Sequence, residues 1–336
     1  MAVETVHQPG RAARSLPSGL GRDTRIVTRS LELNVTTHCN LKCYGCGRGS
    51  PAFGQEFVSR EELALDLGKL APILRVQEFK LAGGEPLQHP EILEILDVVR
   101  SSGVADSITL ITNGVLLEAA GADIWSRIDH IWVSVYPGVE RGLSEDQIMD
   151  LGRRHGVSVR YKVTDSFDRR MLNAENLDKP LVQEIYSSCY QTRGCHSLYN
   201  GRYFKCASGP LIPKWLETVG CTTGFTFADD GVSVRGNPAL ERDLEAYLSS
   251  ERPLDACHYC LGGMGKSSPH HQLNLDGVRD WLSEDHTDTA ALIDLDRLER
   301  DKNRRNSSIV SRIASGLLGP LKPRRRGPPD GSAAGS

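Results

Sequence analysis

Between residues 30 and 165 the hydrophobic period switches between that of a strand and that of a helix, five times over. This alternation restricts the fold more than any other feature. Leu31, Leu33 and Val35 repeat at every second position, as in a strand. Ser59 opens a helical stretch, with Glu62 three residues later in the arrangement of a capping box. Residues 79–82 read as a second strand, 90–102 as a helix stopped by Gly103, and 108–112 as a third strand. A helical stretch then runs to about Ile128, and 131–136 is a near-continuous apolar strand. Ser144 and Gln147 cap a helix that stops at Gly156, and 157–163 is the fifth strand. Strands separated by helices run parallel with right-handed crossovers, and active residues gather at their C-terminal ends. No sixth strand stands out, so the expected fold is α/β, a partial (β/α) barrel.

The alternation breaks near residue 165. The chain divides in expectation into an arm (1–29), the barrel (30–187), a small domain (188–275), C-terminal helices (276–319) and a tail (320–336). Within the small domain, Tyr199-Asn200-Gly201-Arg202-Tyr203 is a hairpin signal, because Asn-Gly accepts the positive φ angles of a type I′ turn. Ile309, Val310, Ile313, Leu317 and Leu318 form a helical stripe flanked by arginines, which is expected to dock on the barrel rather than on a membrane. A net charge of -3 and 6% aromatics give no basic or stacking surface for nucleic acid. No apolar run approaches the ~20 residues of a membrane span, and the first 30 residues show no secretory leader, so a cytoplasmic place is expected. Nine cysteines, at 39, 43, 46, 189, 195, 206, 221, 257 and 260, are an odd count for disulfides and disfavoured as disulfides in a reducing cytosol.

Cys39-X3-Cys43-X2-Cys46 follows the first strand directly. Three thiolates on one short loop suit three irons of a cubane and leave the fourth iron open. A zinc site missing its fourth ligand is the alternative. Gly83-Gly84-Glu85-Pro86 follows the second strand, Thr112-Asn113-Gly114 follows the third, and Ser134 lies in the fourth. In that order, these signals resemble the radical S-adenosylmethionine (SAM) superfamily over residues 30–165. The resemblance implies that Cys39, Cys43 and Cys46 hold a [4Fe-4S] cluster whose open iron takes the methionine group of SAM. It implies that Gly83 and Gly84 let backbone approach the cofactor and that Glu85 accepts from the methionine ammonium. Asn113 and Ser134 would make polar contacts to the cofactor, and Tyr44, one residue before Gly45, would pack on adenine.

Cys189, the Cys206 that ends the hairpin, and the pair Cys257-X2-Cys260 offer four thiolates, suited to an iron–sulfur cluster or to zinc. This spacing resembles the short SPASM-like auxiliary domain called twitch, which implies a second [4Fe-4S] cluster on Cys189, Cys206, Cys257 and Cys260. Cys195 and Cys221 are left over. They are candidate hydrogen-atom donors to a substrate radical, or buried small apolar side chains. His258, His270 and His271, near the second pair, read as exposed loop histidines, with His270 or His271 a candidate for the pocket wall.

Together these resemblances imply an oxidoreductase or epimerase. It would abstract hydrogen from a carbinol C–H of a sugar or aminocyclitol in antibiotic biosynthesis, with flavodoxin or ferredoxin as electron donor. Peptide maturation ranks lower, because only about 30 residues precede the first strand where a peptide-binding domain needs about 80. A zinc-stapled binding module is the non-catalytic alternative.

Overall fold

The computed structural model describes residues 24–317, apart from the side chains of the last turns of the C-terminal helix. The expected tail, most of the expected arm and the apolar stripe of 309–318 lie outside the described side chains. The helical stretch Asp123–Arg127 is short, but the expected parallel strands are all present.

In chain order these are β1 (Ile26–Thr36), α1 (Arg60–Leu70), β2 (Leu74–Gly83), α2 (Ile92–Ser102), β3 (Ala105–Thr112), α3 (Asp123–Arg127), β4 (His130–Val135), α4 (Glu145–His155) and β5 (Ser158–Val163). Neighbouring members of β1 to β5 pair in parallel. There follow β6 (Ser166–Asp168), α5 (Lys179–Ser188), β7 (His196–Tyr199), β8 (Arg202–Phe204), α6 (Ile212–Thr218), β9 (Val232–Ser233), α7 (Leu240–Ser249), β10 (Ser267–Pro269), α8 (Leu275–Ser283), α9 (Thr289–Leu292) and α10 (Leu295–Leu317).

The main sheet has eight strands in the order β5-β4-β3-β2-β1-β7-β8-β9. Strand β7 lies parallel to β1, with Leu31 opposite His196, so strands on either side of the expected division at 188 share one sheet. Its hairpin with β8 turns at Asn200 (φ 45°) and Gly201 (φ 70°), as the Asn-Gly signal requires. A separate two-stranded sheet pairs β6 with β10 and brings residues beyond 266 back to the end of β5.

Strand alternation explains the two faces of the sheet. Leu31, Leu33 and Val35 join Leu63, Leu67 and Leu70 of α1 and Ile95, Leu96 and Val99 of α2 in the core. Ser30, Glu32 and Asn34 are buried on the other, inner face. Charge on that face is paired: Arg48 pairs with Glu32 and bonds Asn34, and Lys80 stands 3.4 Å from Glu78. Unpaired, such buried charges would cost several kcal/mol, of order ~3–5.

Three local expectations change. Strand β1 begins at Ile26, inside the expected arm, because Ile26 N–H already bonds Ile73 O at 2.8 Å. The stretch expected to be helical up to Ile128 is broken at Gly121 (φ 72°), leaving only the five residues of α3. At α1 Ser59 accepts from Glu62 N–H, but the Glu62 side chain turns to Arg235 (3.6 Å) and the box is half formed. At α4 the Ser144–Gln147 box is complete.

Arg235, after β9, clamps α1 through Asp66, with Nε 2.5 Å from Oδ1 and Nη2 3.0 Å from Oδ2. Asp66 is buried, so Asp66→Ala is expected to cost about 2 kcal/mol in denaturant unfolding. Glu62→Ala, on the same arginine but more exposed, is expected to cost less than about 0.5 kcal/mol.

Candidate active site

The strand ends gather around one cleft of about 810 Å³. Eight residues singled out in the sequence line it: Cys39, Cys43, Cys46, Gly83, Gly84, Thr112, Asn113 and Ser134. They come from the loop after β1 and from the C-terminal ends of β2, β3 and β4, as a parallel sheet requires. Lys162 and Asp165, at the end of β5, line it too.

Gly83 and Gly84 are glycine for a reason nearer than a ligand. Gly83 has φ 141°, and a Cβ there would stand 2.4 Å from Thr36 O. A Cβ on Gly84 would stand 1.9 Å from His38 O. The cysteine loop therefore passes directly against these two residues, and Gly84 N–H and Glu85 N–H hold it by donating to Thr36 O (2.8 Å) and His38 O (2.9 Å).

The Glu85 side chain is fully buried and is not part of the cleft lining. Its carboxylate accepts from Thr112 Oγ1 (2.7 Å), Asn113 N–H (2.8 Å) and Leu87 N–H (3.1 Å). These bonds tie the end of β2 to the turn after β3. Burial pushes the Glu85 carboxyl up to about 7, although the three donors favour the charged form. Asn113 extends the tie, its Nδ2 donating to Asn40 Oδ1 at 2.7 Å on the cysteine loop.

The Tyr44 ring stacks on His271 (4.8 Å between centroids), its hydroxyl bonds Glu284 and Arg169, and it is not in the cleft lining. The aromatic residue at the β4 end of the cleft is Tyr136, which the sequence placed at the end of the apolar strand 131–136 without a role in the cleft. Arg48 and Arg170 in the lining were also missed, since neither belongs to a motif.

Cys189, Cys206, Cys257 and Cys260 line a second, smaller and largely apolar cavity. Cys195 is not among the residues that line it. Asp230 sets the Cys257 turn by accepting from Asp255 N–H (2.5 Å) and Ala256 N–H (2.7 Å). Arg170 lines both the cleft and this cavity. Its guanidinium donates to Ser208 Oγ (3.2 Å) and Tyr190 Oη (3.2 Å).

The two remaining thiols, Cys195 and Cys221, are not among the residues that line the cleft. Cys195 sits just before β7, close to Glu32, Lys80 and Arg48 of the inner face. Cys221 packs with Phe225 against the cluster around Trp215 and Tyr259. His270 is buried rather than an exposed loop histidine, whereas His271 is exposed.

Residues 33–177 match the model of the Radical SAM superfamily. This segment is a Radical SAM superfamily domain. The Probable GTP 3',8-cyclase of Methanocaldococcus jannaschii is 35% identical over 91 residues, 27% of this chain and 30% of that protein. The chain thus spans less than a third of that relative's length. The GTP 3',8-cyclase of Lactiplantibacillus plantarum is 25% identical over 239 residues, covering 66% of this chain and 69% of that one. Among solved structures, BtrN in complex with AdoMet and 2-DOIA aligns with 70% of this chain and 94% of its own, at 14% identity and a TM-score of 0.44.

The superfamily implies a [4Fe-4S] cluster and SAM for this domain. The first cysteine set fits such a group. Burial, with the neighbouring thiols adding to it, pushes Cys39 and Cys43 up to about 12, so thiolates form there only beside a cation. Leu41 N–H already points at Cys39 Sγ (3.4 Å), a bond that strengthens when sulfur is anionic. The second set repeats the pattern, with Ser208 N–H on Cys206 Sγ (3.4 Å) and Gly262 N–H on Cys260 Sγ (3.2 Å). Among the described residues no three His, Cys, Asp or Glu side chains converge on one point as ligands of a single metal ion do. Among the described residues, no helix is long and apolar enough to cross a membrane.

Two outcomes test this geometry. Because the folded Glu85 carboxyl titrates above its ordinary 4.5, its contribution to stability is present below pH 4.5 and is lost as pH rises towards 7. The loss is on the order of 3 kcal/mol, and denaturant unfolding of Glu85→Gln should lack that slope. Gly84→Ala is expected to lower the thermal midpoint. Gly68→Ala, in α1 with nothing within 4 Å of its added Cβ, is expected to raise stability by about 0.5–1 kcal/mol.

Proposed function

We propose that the chain is a radical SAM enzyme that removes a hydrogen atom from a carbinol C–H of a sugar or aminocyclitol and carries it on to the ketone. The observation that supports this most is the pairing of two thiol sets across two shared lining residues, Arg170 and Gln191. Cys39, Cys43 and Cys46 line the cleft, and these two residues separate it from Cys189, Cys206, Cys257 and Cys260.

Cys39, Cys43 and Cys46 would hold the first [4Fe-4S] cluster, which when bound supplies the electron that cleaves SAM to methionine and a 5′-deoxyadenosyl radical. Gly83, Gly84, Asn113 and Ser134 would shape the cofactor's part of the cleft. The remaining volume, toward Lys162, Asp165 and Arg170, would take the substrate and keep its C–H bond near the adenosyl carbon. Loss of that hydrogen atom forms 5′-deoxyadenosine, and reaching the ketone then requires one proton and one electron to leave. Lys162 and Asp165 line the cleft as proton carriers, and the second thiol set, a twitch-like auxiliary site, would hold the group that takes the electron. Epimerisation ranks behind, because neither Cys195 nor Cys221 is among the residues that line the cleft.

A nucleotide substrate is the second reading, favoured by the relatives named GTP 3',8-cyclase. Charge in the cleft weighs against a polyphosphate: Arg48, Lys162 and Arg170 are three cations against the three acids Glu145, Asp165 and Asp168. A flavodoxin or ferredoxin would deliver the first electron.

The test is anaerobic turnover with SAM and a reductant over a panel of aminocyclitols, sugars and GTP. The expected result is 5′-deoxyadenosine in step with a product two mass units lighter than one polyol. An isomer carrying one deuterium from heavy water would replace this reading with epimerisation, and turnover of GTP alone would replace it with the nucleotide reading.

A further inference from the structure

The segment 269–274 lies across the first cysteine loop. Tyr44 N–H donates to His271 O at 3.0 Å, and Leu273 N–H donates to Lys42 O at 2.7 Å. Between them Cys43 and Gln272 face each other in an antiparallel bridge. The amide of Gln272 has one orientation there. Its Oε1 accepts Lys42 N–H at 2.9 Å, which leaves Nε2 as the end 3.1 Å from Cys43 Sγ. His270 Nε2 stands 3.3 Å from the same sulfur and 3.0 Å from Gln272 Nε2. The His270 ring is buried and held by stacking on Tyr136, 4.9 Å between centroids. Two nitrogens from 227 and 229 residues downstream therefore reach one sulfur of the first cysteine set. Neither residue belongs to the Cys, Gly-Gly-Glu or Thr-Asn-Gly motifs.

We propose that Gln272, with His270 beside it, tunes the reduction potential of the group held by Cys39, Cys43 and Cys46 by hydrogen bonding to the Cys43 sulfur. The inference rests on the proposed cluster at that loop. A donor aimed at a ligand sulfur disperses its negative charge and stabilises the reduced form, so the potential rises. Gln272 is the fixed donor, because Lys42 locks its amide. His270 Nε2 accepts the amide's other N–H when its own proton sits on Nδ1, which orients Gln272, and donates to the sulfur itself in the other tautomer. Both are positioning residues that act through Cys43. Because they arrive on the segment that follows the Cys257–Cys260 pair, docking of the C-terminal region and the potential at the first loop are linked.

The test is a potentiometric titration of the full chain, loaded with iron and sulfide and followed by electron paramagnetic resonance. Gln272 is exposed on its outer side, so its replacement is expected to leave folding and iron content intact. In Gln272→Met the ratio of reduced to oxidised cluster at fixed potential is expected to fall about tenfold, ~59 mV for a one-electron couple. Gln272→Glu is expected to fall further, and His270→Gln, which keeps a donor, to shift less than His270→Leu. A Gln272→Met titration that overlays the wild type overturns the proposal, as does a Gln272→Met chain that no longer takes up iron. A wild-type chain that takes up no cluster overturns the proposed function itself, a different result from an unchanged potential.

Discussion

The site depends on the contact between two backbones, Gly83–Gly84 at the end of β2 and residues 36–39 at the end of β1. The contact is closer than any side chain permits, since a Cβ on Gly84 would fall 1.9 Å from His38 O. It orients Gly84 N–H and Glu85 N–H onto the loop that carries Cys39. It also buries Glu85, whose carboxylate then reaches Thr112 and Asn113. Asn113 returns to Asn40, closing a ring of bonds around three strand ends. The Gly-Gly-Glu and Thr-Asn-Gly motifs thus fix the cysteine loop before any cofactor is considered.

The inner face of the sheet carries the second constraint. A parallel sheet is usually apolar on both faces, yet here Glu32, Asn34 and Lys80 are buried on one of them. Arg48 reconciles this by reaching from the cysteine loop to Glu32 and Asn34. The loop is therefore anchored from below by an ion pair and from beside by backbone. From the far side, Tyr44 and Cys43 meet the segment 269–274. Three unrelated parts of the chain hold one short loop, which suits a site where small displacements change chemistry.

Much of this was legible in the sequence, and the legible part is local. The five parallel strands follow from period, the hairpin from Asn200-Gly201, and the complete box at α4 from Ser144 and Gln147. Spacing also selected the four cysteines that share the second cavity. What was not legible is set by contacts far apart in sequence. Strand β7 has four residues and owes its place to pairing with β1, over 160 positions earlier. Tyr44 sits beside the cysteines, but its ring is drawn to His271, Glu284 and Arg169, while Tyr136 at the end of β4 lines the cleft. Glu85 stands in a recognisable motif, yet its burial is decided by β3. Arg170 and Gln272 have no period or motif at all, and only the fold brings them to the thiols.

The central claim is that the two cysteine sets are separate cluster sites of one protein. Its most direct measurement is iron and acid-labile sulfide per chain after anaerobic reconstitution. The account predicts about eight irons with matching sulfide in the wild type. It predicts about half that in a chain with Cys39, Cys43 and Cys46 all changed to Ala, and the same in one with Cys189, Cys206, Cys257 and Cys260 changed. Zinc without labile sulfide in the wild type, or loss of all iron from either variant while it remains folded, would contradict it.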